Sequence, residues 1–253
     1  MKRENILYLL LFRSTLFTIA MLQMLGAQIF SGGSNDITTA ADGARSVYAA
    51  DLDGDGDLDV LSASQWDNKI AWYENDGEGN FGSQNVISTT ADDPFSVYAS
   101  DLDGDGDMDV LSASNDDDKI AWYENYGDGE FGGQNVISAA ADGAYSVYAA
   151  DIDGDGDMDV ISASYDDRKI AWYENDGEGS FGSQNIITDS VNGATFVYAA
   201  DLDADGDMDV LSASYSYDRI AWYENDGNGN FGEQNIITSY ANGAGAVYAA
   251  DID

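Results

Sequence analysis

From residue 28 onward the chain repeats itself every fifty residues, with no insertion or deletion to break the register. The segment SVYAADLDGDGDLDVLSASQWDNKIAWYENDGEGNFGSQNVIS, which begins at Ser46, recurs from Ser96, from Ser146 and more loosely from Phe196. A unit of this length cannot bury an apolar face alone, so neighbouring copies must stack and share a core. That requirement restricts the chain to propellers, solenoids or linear arrays.

Within one unit the apolar residues alternate with period two and are rich in Val, Ile, Tyr and Trp, and turn residues return every eight to twelve positions. This is the pattern of short antiparallel strands. Strand one reads as SVYAA (46–50), strand two as DVLSAS (59–64), strand three as KIAWYEN (69–75) and strand four as FGSQNVIS (81–88). Helical periodicity is absent beyond the first 27 residues. The expected fold is all-β, a β-propeller of fifty-residue, four-stranded blades, with four complete blades that form part of a larger ring; a linear β-solenoid or sandwich array is the alternative. The units run 28–50 (partial), 51–100, 101–150, 151–200 and 201–250, with 251–253 opening a further one. In strand three Ile70, Trp72 and Glu74 share one face and Ala71 and Tyr73 the other, which assigns the recurring Trp and Tyr to the core between blades.

Forty-eight acidic against nine basic side chains leave a formal charge of −39, so nucleic acid is excluded as an expected partner. The chain has no Cys and no His, which removes disulfides, thiolate chemistry, imidazole bases and the usual zinc ligands. Residues 1–27 differ in kind: a basic start (MKREN), a long apolar run and LGA before a cut after Ala27 read as a secretory signal peptide. A retained anchor is the alternative, but Arg13 inside the run counts against a stable membrane span. The expected location is secreted or at the cell surface, with no stable membrane insertion after cleavage.

The loop between strands one and two concentrates five aspartates in nine residues, DLDGDGDLD at 51–59. Asp at positions 1, 3, 5 and 9 with Gly at position 6 has a mechanical reason. Calcium takes six to eight oxygens, and alternate residues of a tightly curled loop can aim carboxylates inward together. Asp51, Asp53, Asp55 and Asp59 are the expected carboxylate ligands, with the backbone carbonyl of Asp57. The same set recurs as Asp101, Asp103, Asp105, Asp107 and Asp109, as Asp151, Asp153, Asp155, Asp157 and Asp159, and as Asp201, Asp203, Asp205, Asp207 and Asp209. About one calcium per complete repeat follows. The alternatives are a solvated acidic hairpin and an EF-hand; the second lacks an acid at position 12, where Ser62, Ser112, Ser162 and Ser212 stand. The fourth loop has Ala204 where the others have Gly.

Units of the form DLDGDGDMDVLSAS…KIAWYENDGEGSFG resemble the FG-GAP and VCBS-type repeats of secreted bacterial proteins, and more distantly the calcium-bearing blades of integrin α-subunit propellers. The resemblance covers the chain after residue 27 and implies a propeller, usually of seven blades, with calcium in the loop between strands one and two. Phe81-Gly82 supplies the FG, but Ser62-Ala63-Ser64 stands where the integrin-like form has GAP, which weakens an integrin-style adhesion role.

An up-and-down meander places the loops after strands one and three at one end of a blade and those after two and four at the other. The first end scarcely varies between units, whereas the second carries the differences and an aromatic set: Trp66, Phe95, Tyr145, Tyr165, Tyr215, Tyr217 and Tyr240. This end is the expected ligand face, for a polysaccharide or a protein; drift in unconstrained surface loops is the alternative reading. Lys69, Lys119, Lys169 and Arg219 are expected to be ion-pair partners. Nearly every carboxylate repeats fourfold, and no unique acid/base pair breaks the repeat, so no catalysis is expected. The expected role is a calcium-binding, non-catalytic binding or adhesion module; the alternatives are an accessory part of a larger secreted enzyme and a surface-layer element. The half-loop DID at 251–253 suggests a reading frame cut within a longer propeller.

Overall fold

The computed structural model describes residues 36–252, and the expected signal peptide at 1–27 lies outside them. Among the described residues, sixteen strands form four four-stranded sheets. The first sheet holds β1 (Ala44–Ala50), β2 (Asp59–Ser64), β3 (Lys69–Tyr73) and β4 (Asn85–Ser88). The second holds β5 (Pro94–Ser100), β6 (Asp109–Ser114), β7 (Lys119–Tyr123) and β8 (Asn135–Ser138). The third holds β9 (Ala144–Ala150), β10 (Asp159–Ser164), β11 (Lys169–Tyr173) and β12 (Asn185–Thr188). The fourth holds β13 (Ala194–Ala200), β14 (Asp209–Ser214), β15 (Arg219–Tyr223) and β16 (Asn235–Thr238). Strand order within each sheet is sequence order and every pairing is antiparallel, so each unit is a meander, the blade of a propeller. Among the described residues no helix is long and apolar enough to cross a membrane.

The fourth strand is shorter than its sequence pattern suggests. Phe81 pairs with Asn75 through an isolated bridge, and Gly82 N–H donates to the Glu74 carbonyl at 2.8 Å. The chain then leaves the ladder until Asn85. A register shift between Ile70 and Ala71 repeats in each blade, so only part of the stretch read as strand four lies in the ladder.

Blades pack face to face, and each apolar cluster is built by two of them. Ala50, Leu52, Leu61, Ala63, Ile70 and Trp72 of the first blade meet Val97, Ala99, Val110 and Tyr123 of the second. Equivalent clusters join the second blade to the third and the third to the fourth. Trp72 and Tyr123 thus bury toward each other across one interface, from opposite faces of strand three in adjacent blades. A tyrosine ladder runs from blade to blade through β1, β5, β9 and β13 and on to Tyr248 beyond the last strand: Tyr48, Tyr98, Tyr148, Tyr198 and Tyr248 stack with ring centroids 4.5–5.0 Å apart.

Candidate metal centre and ligand face

The aspartate loop sits between the first two strands of each blade, and its own backbone folds it. Asp51 Oδ1 accepts from Gly54 N–H at 2.9 Å, and Asp51 Oδ2 from Gly56 N–H at 3.0 Å. This curls the loop around position 1. Gly56 has φ 95°, in a region that L side chains rarely enter, which explains the glycine at position 6 in all four loops. Ala204 keeps the left-handed conformation of its glycine counterparts, with φ 66°.

Asp59 is fully buried at the start of β2, and both its oxygens are held by backbone N–H groups: Oδ2 by Leu52 at 2.9 Å and Oδ1 by Asn75 at 2.8 Å. The loop brings Asp51, Asp53 and Asp59 together, with one oxygen from each inside a 4.8 Å span, and the same triad forms from Asp101, Asp103 and Asp109, from Asp151, Asp153 and Asp159, and from Asp201, Asp203 and Asp209. Asp55 stands outside this group of three, exposed, with Oδ1 accepting from Asp57 N–H at 2.9 Å. The Asp57 side chain turns toward Gly77 in the loop after strand three, filling the space a Cβ would need there.

The electrostatics of the triad suit a cation. Burial, with neighbouring carboxylates adding to it, holds Asp53, Asp103, Asp153, Asp59 and Asp209 above the usual carboxylate range, and pushes Asp109 and Asp159 up to about 7. The Asp153 Oδ1 atom is buried and has no hydrogen-bond partner. An orphaned carboxylate oxygen beside two more carboxylates, all of them hard oxygen donors, is what a calcium-sized ion would satisfy. Each repeat therefore carries a group that could hold a metal ion.

Sequence reasoning missed the asparagine that follows strand three. Asn125 is 1% exposed; its N–H donates to Asp109 Oδ1 at 2.8 Å and its Nδ2 to the Met108 carbonyl at 3.0 Å. The same Nδ2 reaches the Leu52 carbonyl of the preceding blade's loop at 2.9 Å. Its signal was present in the sequence: Asn75, Asn125, Asn175 and Asn225 hold one position in every YEN triplet. Lys69, Lys119 and Lys169 pair with Asp67, Asp117 and Asp167 at 2.8–2.9 Å, whereas in the fourth blade Arg219 lies over Tyr217, 5.2 Å from its ring centroid.

At the opposite end, the loops after strands two and four meet: Gln65 N–H donates to Gly43 O, and Asn115 N–H to Asp93 O, both at 3.0 Å. Phe95, Tyr145, Tyr165 and Tyr215 line one cavity of about 490 Å³ there, with Asn115, Asp166 and Thr195 between them. Phe95 and Tyr145 lie 4.4 Å apart by ring centroid, Tyr145 and Tyr165 5.8 Å, and the Arg45 guanidinium sits 4.5 Å from the Phe95 centroid. Trp66, which rests on Gly43 and is largely exposed, Tyr217 under Arg219, and the exposed Tyr240 lie outside the cavity.

The chain matches the FG-GAP-like repeat over residues 18–62, 51–112, 101–162, 151–212 and 201–253. Among curated proteins no sequence matches it. Among solved structures it resembles an Agrocybe aegerita lectin described for specific recognition of non-reducing terminal N-acetylglucosamine, with a TM-score of 0.56, 22% identity, and coverage of 77% of this chain and 52% of the lectin. BBS1N in complex with ARL6DN aligns with a TM-score of 0.54 at 14% identity, covering 81% of this chain and 60% of that one. The V. cholerae biofilm matrix protein Bap1 aligns with a TM-score of 0.48 at 24% identity, over 80% of this chain and 30% of that one. The chain thus spans about half the length of the lectin and less than a third of the matrix protein, and what the first two share with it is the fold.

Proposed function

The chain belongs to the FG-GAP-like repeat family, and from that membership we propose that it is a secreted or cell-surface, non-catalytic binding module, stiffened by calcium and directed at an extracellular polysaccharide or protein. In each blade the residues that would hold the ion are those at positions 1, 3, 5 and 9 of the aspartate loop, Asp51, Asp53, Asp55 and Asp59 in the first, with the backbone carbonyl of Asp57. Bound calcium would supply charge that replaces mutual repulsion of the carboxylates by attraction, and so fix each hairpin.

The observation that carries the binding role is the cavity of Phe95, Tyr145, Tyr165 and Tyr215. It is built where near-identical blades differ. The equivalent first-strand positions are Arg45, Phe95, Tyr145 and Thr195, and those after strand two are Gln65, Asn115, Tyr165 and Tyr215. Ring faces flanked by an amide, a carboxylate and a hydroxyl match the alternating apolar and polar surfaces of a sugar ring, or an aromatic-rich protein patch.

The test is a glycan-array and extracellular-matrix screen followed by Tyr145→Ala and Tyr215→Ala. Each variant is expected to weaken the identified ligand about tenfold or more, the scale of a buried aromatic contact. Unchanged affinity in both would remove the cavity from the function.

A further inference from the structure

The buried asparagines join the four metal groups into one hydrogen-bonded chain. Asp59 Oδ2 accepts from Leu52 N–H at 2.9 Å; the carbonyl of the same Leu52 accepts from Asn125 Nδ2 at 2.9 Å; and Asn125 N–H donates to Asp109 Oδ1 at 2.8 Å. The pattern repeats at once, since Asp109 Oδ2 accepts from Leu102 N–H at 2.9 Å, the Leu102 carbonyl from Asn175 Nδ2 at 2.7 Å, and Asp159 Oδ1 from Asn175 N–H at 2.8 Å. It repeats once more through Ile152 and Asn225 to Asp209, at 2.9, 2.7 and 2.9 Å. All the linking groups are buried: Leu52, Leu102 and Ile152 are 1% exposed, Asn125, Asn175 and Asn225 1–2%, and the four position-9 aspartates 0%.

We infer that Asn125, Asn175 and Asn225 are positioning residues that make metal binding at neighbouring blades positively cooperative; this rests on the reading of the aspartate loops as calcium sites. Without a cation, the crowded carboxylates at positions 1, 3 and 9 have nothing to join them, and the loop holds its position-2 residue less firmly. A cation at one loop fixes the Asp59 carboxylate, and with it residue Leu52, whose N–H donates to it. The fixed Leu52 carbonyl holds the Asn125 side chain through Nδ2, and the backbone N–H of Asn125 then holds the Asp109 carboxylate in place for the next ion. The second site is spared part of the ordering cost that the first has met, which is positive coupling without any change of fold. Asn75 differs from the other three: its Nδ2 reaches Leu58 O of its own loop at 3.0 Å, and it is only partly buried.

The experiment is a calcium titration of the full chain by calorimetry, with terbium luminescence as a second reporter of site occupancy. Four sites are expected, each loaded neighbour raising the affinity of the next by about 5-fold or more. Asn175→Ala, which cuts the relay at its middle, is expected to keep four sites but to split them into two independent pairs. Asn175→Asp retains the shape and the backbone N–H while losing the Nδ2 donor, and is expected to do the same. Asn75→Ala is expected to leave the coupling intact. Four independent, equal sites in the unaltered chain would overturn the inference while leaving the calcium reading in place, and no binding at all would overturn that reading itself. Titration of the unaltered chain separates the first two outcomes even where Asn175→Ala does not fold. Undiminished coupling in a folded Asn175→Ala or Asn175→Asp would also refute the inference.

Discussion

A carboxylate at position 9 of each loop is the residue on which the local chemistry turns. Asp109 and Asp159 are pushed up to about 7 chiefly by burial, although each accepts two backbone N–H bonds that favour the ionised form. An unfolded Asp titrates near 3.9, so without metal the folded state binds more protons than the unfolded state from about pH 4 to about pH 7. Stability then falls as pH rises through that window. A cation that takes the ionised carboxylate removes the slope, because it replaces the proton. Melting in chelator is therefore expected at a higher temperature near about pH 5 than near about pH 7.5, and the order should level or reverse in saturating calcium. Greater stability at the higher pH in chelator would show that burial does not govern these groups. Gly179 exposes a second single-residue constraint, of packing and not of charge. It has φ 74°, and a Cβ there would come within 2.6 Å of Trp122 Cζ2. Gly179→Ala combines the left-handed penalty with overpacking of a buried ring, and is expected to cost about 2–4 kcal/mol in urea unfolding. A cost below about 1 kcal/mol would mean that the Trp122 ring is free to move aside.

At the scale of elements, the first three strands were legible because period two and β-branched or aromatic residues coincide over DVLSAS and KIAWY, and the structure pairs them in the expected order. The fourth strand was legible only in part. Phe81-Gly82-Ser83-Gln84 continues an extended pattern on paper, but Gly82 bonds back to Glu74 and the ladder resumes only at Asn85. That choice depends on a backbone partner eight residues away, which alternation does not encode. The aspartate loop was legible as a gathering of carboxylates that could hold a metal ion, since the spacing that brings them together is a local property. The split between the triad of Asp51, Asp53 and Asp59 and the outlying Asp55 was not, because it depends on how the loop curls around Asp51. The asparagine relay was invisible for a plainer reason: Asn125 and Leu52 are 73 residues apart, and only the stacking of blades brings them together. Aromatic residues on the variable loops could be named one by one, and the repeat register sets Tyr165 and Tyr215, at one equivalent position, apart from Trp66 and Tyr217 at the next two; which of these positions lines a cavity depends on how the blades stack.

At the scale of the whole molecule, every apolar cluster in the described residues belongs to two blades, and the hydrogen-bonded relay crosses the same three interfaces. A repeat protein whose neighbours are joined this strongly unfolds as a block, whereas one with weak interfaces frays blade by blade. A formal charge of −39 adds a force that acts on all blades at once, since their loops repel one another through the solvent within a Debye length of about 8–10 Å. On the proposed calcium reading, removing the ion restores that repulsion and releases the loops along the relay together. The expected outcome is that chelation lowers the melting temperature while leaving one calorimetric transition, with van't Hoff and calorimetric enthalpies in agreement. Hydrogen exchange supplies the spatial test: amides of β2, β6, β10 and β14 should lose protection in concert on chelation. Two or more resolved transitions, or protection lost in one blade while its neighbours keep theirs, would show that the interfaces transmit less than their shared cores and asparagines imply. In that case the blades act as separate units, and a cavity lined by β5, β9, β13 and the loops after β6, β10 and β14 would lose its shape whenever any one of them opened.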